Sequence, residues 1–131
     1  MNQISEILQS ACTIAVVGLS GKRFRPSYGV AEYMQRAGYR IIPVNPREKQ
    51  VLGETSYADL EAVPEAIDIV DIFRRSEFVP ALLDDLLAVR PRLVWMQVGV
   101  SDDATARRLE ASGIPVVMDR CLAVDHHSLG S

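Results

Sequence analysis

The sequence is poor in the residues that mark metal sites, disulfide frameworks and membrane proteins. It has two cysteines and two histidines among 131 residues, and their spacing matches no metal-binding pattern. Its longest apolar runs have the length of strands, and no basic segment followed by an apolar one marks a signal peptide. The net charge of −3 provides no basic face for nucleic acid. We therefore expect a cytoplasmic protein with no metal, no membrane contact and no nucleic-acid partner.

The composition is that of an ordinary globular domain. With 48% hydrophobic and 24% charged residues, the chain is apolar enough to bury a core. A length of 131 residues suits a single domain over residues 1–131. We expect the core of this domain to span about residues 5–122. We expect residues 123–131, which include His126 and His127, to form a disordered tail.

Short β-branched runs alternate with amphipathic segments along the chain. The sequence predicts strands over residues 13–17, 40–44, 67–72, 93–98 and 115–118, and helices over about 3–11, 28–37, 77–89 and 102–112. This alternation predicts an α/β fold, a single doubly wound, Rossmann-like domain with a five-stranded parallel sheet. Numbering these strands along the chain, the expected order in the sheet is 3-2-1-4-5. Asp68 and Asp71 alternate with apolar residues, which favours an edge position for the third strand.

The first predicted strand ends in a turn that is suited to binding an anion. Its apolar residues run into Gly18, and a loop with several cations leads to a helix for which Ser27 is the expected N-cap. Backbone N–H groups of the turn and of the helix N-terminus, together with Ser20, would face a phosphate. We expect a Gly18→Val substitution to abolish ligand binding and to leave the fold intact.

Ligands of open parallel sheets bind at the carboxyl ends of the strands. In this sequence the candidate residues at those ends are Gly18, Leu19, Ser20, Asn45, Pro46, Phe73, Arg74, Arg75, Gln97, Gly99 and Cys121. Nicotinamide cofactors require an acid after the second strand to hold the ribose, but the sequence there is NPR, at residues 45–47. A cation without an acid favours a nucleotide with an additional ribose phosphate, such as NADP or coenzyme A. We expect the phosphates to be bound by Arg25, Arg47, Arg74 and Arg75.

Six segments carry a family resemblance, in order and with fitting gaps over roughly residues 5–122: AVVGLS (15–20), RPSY (25–28), IPVNP (42–46), GE (53–54), DIVDIFRR (68–75) and VMDRC (117–121). They resemble the stand-alone CoA-binding Rossmann proteins, relatives of the CoA-binding domain of succinyl-CoA synthetase α subunits. The resemblance implies that the CoA phosphates lie at residues 18–20. It also implies that Asn45, Pro46 and residues 73–75 line the adenosine and phosphate side, with residues 97–99 on the neighbouring wall.

These observations lead us to expect a protein that binds CoA or acyl-CoA, has no catalytic residues of its own and acts as a carrier, sensor or regulatory module. The alternatives are a small NADP-dependent oxidoreductase and a CoA-ligase or transferase subunit completed by a partner chain. A homo-oligomer also remains open. The synthetases use a phosphorylated histidine, and His126 and His127 match no such motif.

The two cysteines lie at opposite ends of the predicted sheet. Cys12 precedes the first strand and Cys121 follows the last, and a strand of this length separates them by roughly 17 Å. That distance is too long for a disulfide, so we expect two free thiols. Cys121 is placed either to form a mixed disulfide with a ligand thiol or to pack as a small apolar residue.

Overall fold

A five-stranded parallel sheet runs through the centre of the protein in the computed structural model, which describes residues 2–129. Its strands are β1 (Thr13–Val17), β2 (Arg40–Val44), β5 (Ile69–Ile72), β6 (Leu93–Met96) and β7 (Val116–Val117). A small hairpin, β3 (Gln50–Val51) and β4 (Glu54–Thr55), follows β2. The α/β class and the five-stranded parallel sheet of a Rossmann-like domain are therefore confirmed.

The order of the strands differs from the expected 3-2-1-4-5. The observed order is β2-β1-β5-β6-β7, which places the third long strand in the middle of the sheet and makes that prediction wrong. Asp68 and Asp71, the two acids that favoured an edge position, do not face solvent at the edge of the sheet. The carboxylate of Asp68 accepts the N–H groups of Cys12 and Thr13, at 2.7 and 3.2 Å, and so holds the start of β1. Asp71 is completely buried between β1 and β6.

Helices cover both faces of the sheet and give the domain three layers. They are α1 (Gln3–Ser10), α2 (Pro26–Arg36), α3 (Leu83–Val89), α4 (Asp103–Ala111) and α5 (Leu122–Leu129), and two short 3-10 turns, Ser76–Phe78 and Pro80–Leu82, precede α3. One core cluster joins a sheet face to α1, α2 and α5. The other joins the opposite face to α3 and α4. Because side chains alternate along each strand, both clusters draw on β1, with Ile14 and Val16 on one side and Ala15 and Val17 on the other.

The helix after the loop that follows β1 begins earlier than expected. Its first residue is Pro26, and Arg25 is the N-cap residue, with extended backbone and no side-chain capping bond. Proline suits this place because its fixed φ is helical and its missing N–H would have no partner in the first turn. Ser27 therefore lies inside the helix, and the prediction that it is the N-cap is wrong.

The C-terminal segment is ordered rather than a disordered tail. Residues 122–129 form α5, the side chain of Leu122 is buried, and its N–H donates to Oε1 of Gln97 at 3.0 Å. The ring of His126 packs edge-on against Tyr33 and Tyr39, and its Nδ1 lies 3.1 Å from the hydroxyl of Tyr33. These contacts join residues that are far apart in sequence, and the segment itself has no helical periodicity that would predict α5. The expectation of disorder is therefore wrong for 123–129, and Gly130 and Ser131 lie outside the described residues.

The strand order fixes where a ligand site belongs. From the end of β1 the chain crosses one face through α2 to reach β2, and from β2 it crosses the other face to reach β5 on the far side of β1. The carboxyl end of β1 is therefore the topological switch point, where open α/β sheets have their crevice. Within residues 2–129, no helix is both long enough and apolar enough to span a bilayer.

Candidate functional site

Gly18 closes β1 in a place that fits only glycine. Its N–H donates to the carbonyl of Val44, and the N–H of Phe73 donates to the carbonyl of Val17, both at 2.8 Å, so three strand ends are held together there. The φ of Gly18 is +86°, and a Cβ at this position would clash with the carbonyl oxygen of Phe73. The expectation that Gly18→Val leaves the fold intact is therefore wrong, because the backbone at Phe73, directly after β5, would have to move.

Three consecutive N–H groups in the loop after Gly18 donate to side-chain oxygens. Ser20 donates to Oγ of Ser27 at 3.1 Å, and Lys22 donates to Oγ of Ser20 at 3.1 Å. Between them, Gly21 donates to the carboxylate of Glu48 at 2.7 Å. Loop amides before a helix N-terminus are typical donors to phosphate, and here hydroxyls and one carboxylate satisfy them. Ser27 therefore supports the loop from its buried position in α2.

Asn45 ties the segment after β2 to the same loop. Its Nδ2 donates to the carbonyl of Leu19 at 3.0 Å, and its Oδ1 accepts the N–H of Arg47 at 3.0 Å. Its own N–H donates to the carbonyl of Tyr57 at 2.8 Å. Both polar groups of the Asn45 side chain are thus used within the protein, and their effect is to position Pro46 and Arg47 beside Gly18.

Two adjoining clefts open over these strand ends, one of about 440 Å³ and one of about 600 Å³. Both are lined by Gly18, Arg25, Asn45, Arg47 and Phe73. One or other of them adds the remaining lining residues, Ser20, Lys22, Pro26, Ser27, Val44, Pro46, Glu48, Arg74, Arg75 and Phe78. Together the clefts have the volume of a ligand pocket for a nucleotide-sized molecule.

The clefts are strongly cationic although the chain has a net charge of −3. Their cations are Lys22, Arg25, Arg47, Arg74 and Arg75, and Glu48 is the one acid among the lining residues. Of these cations, only Arg75 has a carboxylate of the described residues at ion-pairing distance, that of Glu77 at 3.5 Å. The guanidinium of Arg74 lies 4.9 Å from the centre of the Phe78 ring. Such a group of largely unpaired guanidinium ions is suited to a ligand with several negative charges.

Comparison with known families gives this geometry a context. A family model described as a CoA binding domain matches residues 12–127, which include every element from β1 to β7 and most of α5. The chain belongs to the CoA binding domain family. The stated resemblance to CoA-binding proteins is therefore confirmed, and the cationic clefts lie within the matched residues.

Similar proteins are known in bacteria and archaea. The Bacillus subtilis protein YneT, itself uncharacterized, is 41% identical over 95% of this chain and 92% of its own length. A Thermus thermophilus protein of known structure is 41% identical, with 98% of this chain and 99% of that chain covered and a TM-score of 0.94. The dinucleotide-forming acetyl-coenzyme A synthetase 1 of Ca. Korarchaeum cryptofilum, in complex with phosphate and ADP, shares the fold. It is 22% identical, covers 88% of this chain and 27% of its own, and has a TM-score of 0.74.

The other predicted site residues of this CoA binding domain do not line either cleft. Leu19 is completely buried, and its carbonyl accepts the bond from Asn45. Gln97 is buried and holds the start of α5, while Gly99 donates its N–H to Oδ1 of Asp119 at 2.7 Å. Cys121 is half-buried, and both thiols of the chain are free. A ligand role for these residues stays a prediction.

Five lining residues are not among the predicted site residues: Lys22, Pro26, Val44, Glu48 and Phe78. Pro26 and Val44 lie within the segments RPSY and IPVNP that carry the family resemblance. Lys22 was visible as a cation of the phosphate loop. Phe78 follows the Arg74–Arg75 pair in a 3-10 turn, and it is an exposed aromatic side chain. Glu48 had no signal, because an acid in an irregular loop can point in any direction. It lies three residues beyond Asn45, so the end of β2 has an acid nearby, but its carboxylate is directed to Gly21.

One buried acid lies below the clefts without lining them. Asp71 pairs in register with Val16 and Trp95, and neither of its carboxylate oxygens has a hydrogen-bond partner among residues 2–129. Burial raises the pKa of this carboxyl well above its ordinary value, so the group is protonated where surface acids are ionised. Among residues 2–129, no group of His, Cys, Asp and Glu side chains could hold a metal ion.

Proposed function

We propose that this chain binds CoA or acyl-CoA in the two adjoining clefts at the carboxyl ends of β1, β2 and β5. The observation that carries the proposal is the convergence of Lys22 and the four arginines on the turn at Gly18. CoA has a diphosphate and a ribose 3′-phosphate, so it brings several negative charges to such a group of cations. Membership of the CoA binding domain family supports the same ligand.

Different residues of the clefts would bind the diphosphate and the 3′-phosphate of the ligand. The loop at Ser20 and Lys22, before the N-terminus of α2, would take the diphosphate. Arg47 and Arg74, from the ends of β2 and β5, would take the 3′-phosphate through charge-assisted hydrogen bonds. The aromatic ring of Phe78, which lies beside Arg74 in the same cleft, would provide an apolar face for adenine.

We further propose that the chain acts without chemistry of its own, as a carrier, sensor or regulatory module. The lining of the clefts contains no histidine or cysteine. Ser20 lies in the loop itself, and its Oγ accepts the N–H of Lys22. Nucleophilic catalysis by serine requires an adjacent base, so binding is the activity that these side chains support.

Calorimetry and thermal unfolding with a ligand series test this proposal. We expect CoA and acetyl-CoA to bind and to raise the melting temperature, dephospho-CoA to bind more weakly, and NAD not to bind. At a hundredfold excess over its Kd, a ligand stabilises the native state by about 2.7 kcal/mol. Stabilisation by NADP without stabilisation by CoA would refute CoA as the ligand and favour the oxidoreductase alternative.

A matched pair of arginine variants tests the location. Arg74→Gln should weaken CoA binding by about tenfold or more, because a charge-assisted hydrogen bond contributes about 1.5–3 kcal/mol. Arg108→Gln removes the same charge from α4, away from the clefts, and should leave affinity unchanged. An equal effect of the two substitutions would contradict binding at the Gly18 turn.

A further inference from the structure

Glu48 differs in charge from every other side chain that lines the two clefts. Among the described residues its carboxylate is the only acid in the lining, and it accepts the N–H of Gly21 at 2.7 Å. The carboxylate of Glu48 packs directly against the backbone of Gly21: a Cβ added to Gly21 would lie 3.1 to 3.3 Å from the carboxylate atoms. A turn positions the Glu48 side chain, because the N–H of Glu48 donates to the carbonyl of Asn45 at 3.2 Å.

The position of this carboxylate is the one that a phosphate oxygen would take. The N–H groups of Ser20 and Lys22 on either side are satisfied by neutral hydroxyls, which can also accept or donate beside a bound phosphate. Gly21 alone donates to an anion, and that anion stands in a cleft lined by five cations. A second anion could not bind at the Gly21 amide without repelling Glu48 or displacing it.

We propose that Glu48 is an internal competitor that occupies the phosphate position at Gly21 and is displaced when the ligand binds. The inference rests on the proposed function for the identity of the full ligand, but the competition itself concerns any phosphate at this loop. Glu48 lowers affinity for all anions, and it lowers it most for ligands too weakly charged to replace it. It thereby selects a ligand that brings a diphosphate to the loop and further charge to the neighbouring arginines.

The test compares Glu48→Gln with Glu77→Gln, using inorganic pyrophosphate and CoA as separate probes in calorimetry. Glutamine at position 48 keeps an oxygen acceptor for the Gly21 N–H and removes only the charge. Glu77 pairs with Arg75 at the rim of the same clefts but does not contact the loop, so its substitution controls for a general gain in positive potential. Melting curves of both variants verify that they fold.

We expect Glu48→Gln to bind pyrophosphate and CoA roughly five- to tenfold more tightly than the natural chain, because a charged competitor has been replaced by a neutral one. Glu77→Gln should change either affinity by less than about twofold, as is typical of an exposed ion pair. Tighter pyrophosphate binding by Glu48→Gln without CoA binding by either protein would support the competitor and refute the proposed function. Equal gains in the two variants, a weaker Glu48→Gln, or no probe binding to any of the proteins would overturn the competitor.

Discussion

Replacing Asp71 by valine should stabilise this protein, and the gain should depend on pH. Asp71 lies in the middle of the sheet and is completely buried, and no group in the described part of the chain hydrogen-bonds to either carboxylate oxygen. Burial raises its pKa, so the folded chain keeps a proton that the unfolded chain releases above about pH 4. Valine is β-branched, has no polar atom and suits a strand between Val16 and Trp95.

The magnitude has two parts. An unpartnered polar group costs about 1–3 kcal/mol when buried, and valine removes that cost at every pH. In addition, the free energy of unfolding of the natural chain falls by up to about 1.4 kcal/mol per pH unit as the pH rises from the unfolded pKa to the raised folded pKa. Below the unfolded pKa this second contribution disappears, because the carboxyl is protonated in both states. The advantage of Asp71→Val is therefore smallest in acid and largest at neutral pH.

Urea unfolding at pH 5 and pH 7 measures both parts. We expect Asp71→Val to be more stable by at least about 1 kcal/mol at pH 5 and by a larger margin at pH 7. For a domain of this size, each kcal/mol corresponds to about 3–5 °C in the melting temperature. Asp71→Asn, which removes the titration but keeps a polar group, should lose the pH dependence with a smaller gain. A destabilised valine variant, or an advantage that is equal at the two pH values, would refute the reasoning.

Other substitutions and measurements test further features of the fold. Gly18→Ala should destabilise the protein by about 1–3 kcal/mol from its positive φ alone, and more from the clash with the Phe73 carbonyl; unchanged urea unfolding would contradict this. Thiol titration of the unreduced native protein should find both Cys12 and Cys121 free, and a titre of zero would exclude that assignment. Burial, with a smaller contribution from His127, lowers the pKa of His126, so the stability that its neutral ring provides is present above about pH 6.5 and is lost as the pH falls toward the lowered folded pKa. His126→Phe should remove that acid-side loss in melting curves, and an identical pH profile would show that packing does not shift the pKa of the His126 ring.

How far the sequence predicts the site depends on the range of the interactions involved. The clefts bring together most of the residues expected at the strand ends, from Gly18 and Ser20 to residues 45–47 and 73–75. That convergence follows from chain geometry, because parallel strands in one sheet end on the same side. Glu48 could not be placed in the same way, since its direction depends on the turn that Asn45 and the Gly21 amide impose on it.

The sequence by itself determined the class of the fold, the five strands of the parallel sheet and the glycine turn, because each is encoded by local hydrophobic periodicity or by a backbone conformation that one residue type prefers. Only the tertiary structure decided the order of the strands, the burial of Asp71 and the docking of α5 through His126. An acid that alternates with apolar residues gives the same sequence pattern on an edge strand, where it can face solvent, and on a central strand, where it is buried. Which of the two applies depends on how the whole chain crosses the sheet, and that choice is made by packing between segments far apart in sequence.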